Sequence, residues 1–179
     1  MIVSIVTLLV WKQNFDLIQK KIQISNTETA GELHDRLSLL GAEVLLETVN
    51  LINQKKAPRA KQIGEITKAP KLTNELCRID WSKDVVSIFN LVRGLSPYPR
   101  AFTYLNDIEI KILRTEIAEP EADATFQPGE IIAVDNEKLY VATGTGTITI
   151  TELQPANKRQ MTTAEYLRGH AVVVGEKFV

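Results

Sequence analysis

The sequence predicts an α+β protein built in two regimes, and three observations carry that expectation. An apolar run opens the chain and leads into helix-periodic segments that end near Ile52. From Phe102 to Leu153 the apolar period drops to two, with turn residues between short runs. Between these regimes lies Ala69 to Lys83, APKLTNELCRIDWSK, which follows neither period. Pro70 ends what precedes it, Lys71, Arg78 and Lys83 space it out, and Ile79 and Trp81 give it two apolar anchors, so it reads as a pinned linker.

At 179 residues and 20.0 kDa, with 44% apolar residues, the chain can form the core of one ordinary domain or two small ones. The single cysteine, Cys77, excludes an internal disulfide and a multi-cysteine zinc site, and two histidines leave little for another metal. No metal is therefore expected, and the compartment reads as reducing and cytoplasmic. The opening run, MIVSIVTLLVW, lacks a basic n-region and a small-residue cleavage site, and falls short of the roughly 20 apolar residues a bilayer span needs. It is expected to be a buried strand, with no membrane partner.

The elements follow in order. Phe15 to Ile24 mixes apolar, polar and β-branched residues and reads as a strand. Thr29 and Glu32 form a capping box that starts a helix, with Leu33, Leu37 and Leu40 at helical spacing. Gly41 interrupts, and Val44, Leu45, Thr48, Val49 and Ile52 continue, so two amphipathic helices or one bent one are expected. After the linker, Ser82 is the expected N-cap of a helix over Lys83 to Arg93, with Gly94 as its stop. SPYP then forces an extended turn. Phe102 to Leu105, an Asn106-Asp107 turn and Ile108 to Leu113 read as a hairpin. Further strands are expected over Glu130 to Val134, Lys138 to Thr143 and Gly146 to Leu153, with a surface loop over Glu119 to Gln127. Thr162 and Glu165 form a second capping box, opening a short helix that runs to Gly169. Five short strands with a helix suit a small Greek-key barrel of the oligonucleotide-binding type.

Charge is unevenly spread behind a net of −1. Residues 1 to 54 carry four Lys/Arg against six Asp/Glu, residues 55 to 83 eight against three, and residues 84 to 179 nine against thirteen. Positive charge thus gathers in the linker, where a polyanion could meet it; a solvated, lysine-rich connector is the plainer reading of the same residues. Gly144-Thr145-Gly146 lacks the third glycine, the Lys-Ser/Thr pair and the following helix of a phosphate loop, so it reads as a hairpin turn. His34 beside Asp35 reads as a surface histidine, since neighbours on a helix do not face each other and no nucleophile is near. His170, just past the last helix, has no assigned chemistry. Trp81, Tyr98 and Phe102 could stack on bases, although aromatic residues beside helix and strand starts belong more often to a core.

APKLT, RIDW, NLVRGLSPYP at Asn90 to Pro99 and ELQPANKRQMTTAEYLRGH at Glu152 to His170 together resemble the C-terminal half of the methionyl-tRNA formyltransferase family. The resemblance runs from about Gln19 to the end. RIDW and VRGLSPYP also occur in similar form in sugar-nucleotide formyltransferases, whereas APKLT and LQPANKRQM resemble the tRNA enzymes in particular. It implies an N-terminal strand and helix remnant of an α/β domain over 1–66, a basic linker over 67–83, and an OB-like Greek-key β-barrel with short helices over 84–179.

The resemblance also implies initiator tRNA as partner, with Lys71, Arg78, Arg93, Lys158, Arg159 and Arg168 as candidate contacts to its backbone. Where the family often has another Lys, this chain has Asn74, which should weaken the contact. Full-length members use an Asn, a His and an Asp in their first domain and an SLLP loop that helps hold 10-formyltetrahydrofolate. This sequence has no SLLP and no matching Asn-x-His pair, and the register of the family's Asp falls on Lys12. The expectation is a catalytically silent tRNA-binding portion, with no catalytic residue and no cofactor of its own, from a truncated gene or a reading frame that begins late. Two alternatives are a subunit that complements a separate catalytic domain or self-associates through its N-terminal helices, and a non-catalytic interaction module.

Overall fold

The computed structural model describes residues 3–10, 15–58, 60–61, 69, 71–119 and 126–179. The chain divides into two compact units at Pro70/Lys71. Mixed helix and antiparallel sheet are present, as the sequence predicts.

In the first unit β1 (Val3–Val10) and β2 (Phe15–Gln23) form an antiparallel hairpin, and β3 (Ala60–Lys61) pairs with the start of β2. Helix α1 (Ala30–Asn53) opens on the expected capping box: the Glu32 N–H donates to Thr29 Oγ1 at 3.3 Å, and the Thr29 N–H donates to Glu32 Oε2 at 2.7 Å. Of the two alternatives, two helices or one bent one, the structure has a single helix of 24 residues that runs through Gly41. A helical glycine costs only about 1 kcal/mol and stops a helix only when it turns left-handed. That turn falls instead at Lys55, φ 57°.

The second unit starts with α2 (Asn74–Cys77) and α3 (Val85–Leu95). Its sheet comprises β4 (Ala101–Leu105), β5 (Ile108–Ala118), β6 (Ile131–Val134), β7 (Leu139–Ala142) and β8 (Thr147–Pro155) in the order β4-β5-β8-β7-β6, all antiparallel. The two-residue strand β9 (Met161–Thr162) pairs with β8 and leads into α4 (Thr163–Gly169). The second capping box is present, with the Glu165 N–H donating to Thr162 Oγ1 and the Thr162 N–H to Glu165 Oε2. Ile88 and Val92 of α3, Ile110 and Ile112 of β5, Val141 of β7 and Ile148 and Ile150 of β8 lie in one buried core.

Several boundaries differ from expectation. The N-cap of α3 is Asp84, whose Oδ1 accepts from the Ser87 N–H at 2.9 Å; the Ser82 hydroxyl is already committed to Asp80 Oδ1 at 2.6 Å. The same helix runs one residue past Gly94, to Leu95. Strand β5 extends five residues beyond Leu113, because register shifts between Ile112, Arg114 and Thr115 break the alternation that marks a strand in sequence. The loop expected over Glu119 to Gln127 lies largely outside the described residues.

Lys71 to Lys83, read from the sequence as part of a linker, falls on the second unit's side of the division, and its latter half is docked by backbone bonds. Ile79 N–H donates to Phe102 O at 2.8 Å and Gly144 N–H donates to Lys83 O at 2.8 Å. Trp81 is buried, donates Nε1–H to Thr103 Oγ1 at 2.9 Å and stacks on Phe178 with ring centroids 5.5 Å apart. The C-terminal tail completes the arrangement. Val179 and Tyr104 exchange two backbone bonds of 3.0 Å, Phe178 N–H donates to Gly129 O and Ile131 N–H to Glu176 O, so the tail joins the two ends of the strand order. A Cβ on Gly129 would come within 2.4 Å of Phe178 O, which is why this close approach needs a glycine.

Candidate nucleic-acid interface

Backbone pairing sets one line of side chains across four segments of the second unit. Arg78 bridges Phe102, Phe102 pairs with Lys111, and Lys111 pairs with Gln154. In β4, Ala101, Thr103 and Leu105 are buried while Phe102 and Tyr104 are half-buried, so the alternation turns these two rings outward. The rings meet edge to face at 5.9 Å, and the Arg78 guanidinium lies 5.7 Å from the Tyr104 ring centroid. Glu109, which pairs with Tyr104, adds a carboxylate 3.7 Å from Lys111 Nζ.

The far end of this line is tied to two loops. Arg100 Nη1 donates to Gln154 Oε1, Arg100 Nε donates to Pro97 O at 2.8 Å, and Gln154 Nε2 donates to Lys158 O at 2.7 Å. Arg100 holds φ 85°, a left-handed conformation unfavourable to a non-glycine residue, and its own N–H is anchored on Leu95 O at 2.8 Å. The SPYPR turn and the Asn157-Lys158-Arg159 loop are thereby fixed beside each other.

The six predicted contact residues divide among five settings. Arg78 belongs to the line, and Lys158 is exposed at its Gln154 end. Arg159 Nη2 donates to Glu165 Oε1 at 3.0 Å, so part of its charge is already met. Arg93, in the last turn of α3, donates Nε–H to Asn90 Oδ1 and lies 5.7 Å from the Phe89 ring. Arg168 lines an open cleft of about 550 Å3 with Asp135, Asn136, Leu167 and His170, beside the end of β6. Lys71 is exposed at the start of the unit. Arg78 and Arg168 thus stand by opposite ends of the strand order. Arg100, Tyr104 and Lys111 were not singled out from the sequence. Tyr104 and Lys111 were recoverable from strand alternation, whereas Arg100 is placed by a turn conformation that leaves no sequence pattern.

The surrounding carboxylates are fixed by short hydrogen bonds. The Ser82 hydroxyl and N–H hold Asp80 below its ordinary pKa, and the Ser87 hydroxyl and N–H do the same for Asp84. Both stay ionised at neutral pH and temper the positive edge. A second open cleft, of about 620 Å3, is lined by Glu75, Arg78, Asp80, Trp81, Lys177 and Phe178.

Formyl transfer to an amine needs a base for the attacking ammonium and donors for a tetrahedral oxyanion, in a folate-sized pocket. Neither histidine of the chain is placed as such a base. The His34 side chain is 79% exposed, its Nδ1 3.3 Å from Asp35 Oδ1; neighbouring helical residues do meet here, but in solvent. His170 stacks on Tyr166 at 4.3 Å, its Nδ1 3.1 Å from Tyr166 O. Among the described residues no group of three His, Cys, Asp or Glu could hold a metal ion, and no helix is long and apolar enough to cross a membrane.

The fold is shared with a solved structure: a HypX variant from Aquifex aeolicus superposes with a TM-score of 0.69 at 19% identity, over 93% of this chain and 31% of that one. Residues 71–171 match the family described as formyl transferase, C-terminal domain, and the chain belongs to that family. Along its length it is similar to methionyl-tRNA formyltransferases. It is 43% identical over 161 residues to that of Acetivibrio thermocellus and 39% identical over 165 residues to that of Bacillus subtilis. These alignments cover 89% and 90% of this chain and 51% of each relative. The chain spans about half the length of the curated relatives it matches.

Proposed function

We propose that this chain is the tRNA-binding C-terminal portion of a methionyl-tRNA formyltransferase, that it grips initiator tRNA in the cytoplasm during translation initiation, and that it does not transfer formyl groups by itself. The observation that carries the binding role is the register line Arg78–Phe102–Lys111–Gln154, to which Arg100 and Lys158 are tied. Cations spaced along one edge attract phosphates without reading sequence. Arg93, Arg159, Arg168 and Lys71 extend the contact where the RNA reaches them. The non-sequential β5–β8 pairing and the tail that joins β4 to the β6 end support an OB-like Greek-key barrel as the platform. The folate donor, 10-formyltetrahydrofolate, belongs to catalytic residues that this chain does not present.

Binding of initiator tRNA to the purified 179-residue chain at several salt concentrations tests this reading. Affinity should fall steeply with salt, and Arg78→Ala or Lys111→Ala should each flatten the slope by about one unit. Binding that ignores salt, or none at low salt, would overturn it. Turnover in a folate-dependent formylation assay with this chain alone would overturn the claim of catalytic silence.

A second reading is favoured by one observation. Leu39, Leu45, Leu46, Val49 and Ile52 leave an apolar stripe on α1 exposed, as expected of a surface that meets a catalytic formyltransferase domain or a second copy of this chain. A monomer by sedimentation, together with no gain of formylation on adding a separate catalytic domain, would remove that reading.

A further inference from the structure

We propose that Tyr104, with Phe102 beside it, is a stacking platform for an unpaired stretch of RNA whose phosphates meet Arg78 and Lys111. This rests on the tRNA reading above and assigns the RNA structure that the face takes. Phe102 lies in the line between Arg78 and Lys111, and Tyr104, two residues along β4 on the same face, has the Arg78 guanidinium 5.7 Å from its ring centroid. A duplex offers phosphates to such cations but keeps its base faces inside its own stack, so the aromatic pair would meet nothing suited to it. An unpaired strand offers both: phosphates for Arg78 and Lys111, and a base face for the rings beside them.

The platform is rigid before any ligand arrives. The Tyr104 backbone exchanges bonds with Val179 on one side and pairs with Glu109 on the other, and the perpendicular Phe102 ring fixes its edge. Phe102 packs partly on the core, so Tyr104 is the ring to substitute, and a duplex control reports any disturbance of Arg78, whose guanidinium lies 5.7 Å from it. The charge on this face is mixed: Glu109 lies 3.7 Å from Lys111 Nζ, and Glu75 and Asp80 share a cleft with Arg78, so the cations alone make a weak anion site and the rings add what phosphate contact does not.

Three RNAs distinguish the outcomes with the full chain: initiator tRNA, an unstructured 12-nucleotide pyrimidine RNA and a blunt RNA duplex of matched length, each followed by fluorescence anisotropy. Tyr104→Ala should weaken the oligonucleotide about tenfold or more, leave the duplex within about twofold, and be rescued by Tyr104→Phe. Equal losses for oligonucleotide and duplex, or no loss for the oligonucleotide while tRNA still binds, would overturn stacking and leave the tRNA reading standing. No binding of tRNA by the unsubstituted chain would overturn that reading as well.

Discussion

The two long helices of this protein rest on opposite terms. Helix α3 has 11 residues and buries Ile88, Val92 and Leu95, whereas α1 has 24 residues and, among its described side chains, buries only Val44 and Thr48. On α1, Leu39 is 71% exposed and Leu46 67%. Length and period decide that a helix forms; the surface within reach decides how much it stabilises. Helix α3 is held at its start by backbone docking, with Val85 N–H donating to Thr145 O at 3.2 Å, and along its buried face by the sheet. Burial of three large aliphatic side chains at roughly 1.5 to 3 kcal/mol each accounts for a helix otherwise too short to persist.

The largest break in that comparison should come from Trp81, which joins the segment before α3 to β4 and the C-terminal tail. Trp81→Ala should cost about 3 to 5 kcal/mol in denaturant unfolding of the second unit. A loss below about 1 kcal/mol would show that the anchor is dispensable. Next, Ile88→Ala should cost about 2 to 5 kcal/mol while Leu46→Ala stays within about 0.5 kcal/mol. Similar losses at both positions would erase the difference between the helices. Gly144→Ala should follow with about 1 to 3 kcal/mol, because its Cβ would fall 1.9 Å from Ser82 O and push the docked segment off the β7–β8 turn. An unchanged midpoint would mean that α3 does not depend on that docking.

Legibility in the sequence followed the range of the interactions. Both capping boxes were readable, because Thr29 with Glu32 and Thr162 with Glu165 complete themselves within four residues. The strands and their turns were readable from alternation, until the register shifts around Arg114 put Ile112 and Leu113 both inside. The choice of Asp84 over Ser82 as a cap was not readable, since it depends on Asp80 claiming the Ser82 hydroxyl and on Gly144 claiming the Lys83 carbonyl 61 positions away. The site shows the same divide. Arg78 and Lys158 were found by motif, but the line that relates them passes through Phe102, Lys111 and Gln154, and only cross-strand pairing brings those together.

The smallest effect concerns pH and sharpens the contrast at the start of α3. The Asp84 carboxyl accepts from the Ser87 hydroxyl at 2.6 Å and from the Ser87 N–H at 2.9 Å, and these bonds hold its pKa below the ordinary value. A carboxyl whose folded value lies below its unfolded one binds fewer protons when folded. Its contribution is therefore fully present above the unfolded value and is lost as pH falls through the folded one. The second unit should weaken on acidification below about pH 4, with Asp80, Glu165 and Glu176 contributing in the same sense. Asp84→Asn keeps an acceptor for the Ser87 N–H without a titrating group. Its stability at neutral pH should match the parent, and its loss on acidification, followed by denaturant melts from pH 7 downward, should be shallower. Parallel curves would assign the acid response of this unit to the other carboxylates and leave Asp84 as a cap alone.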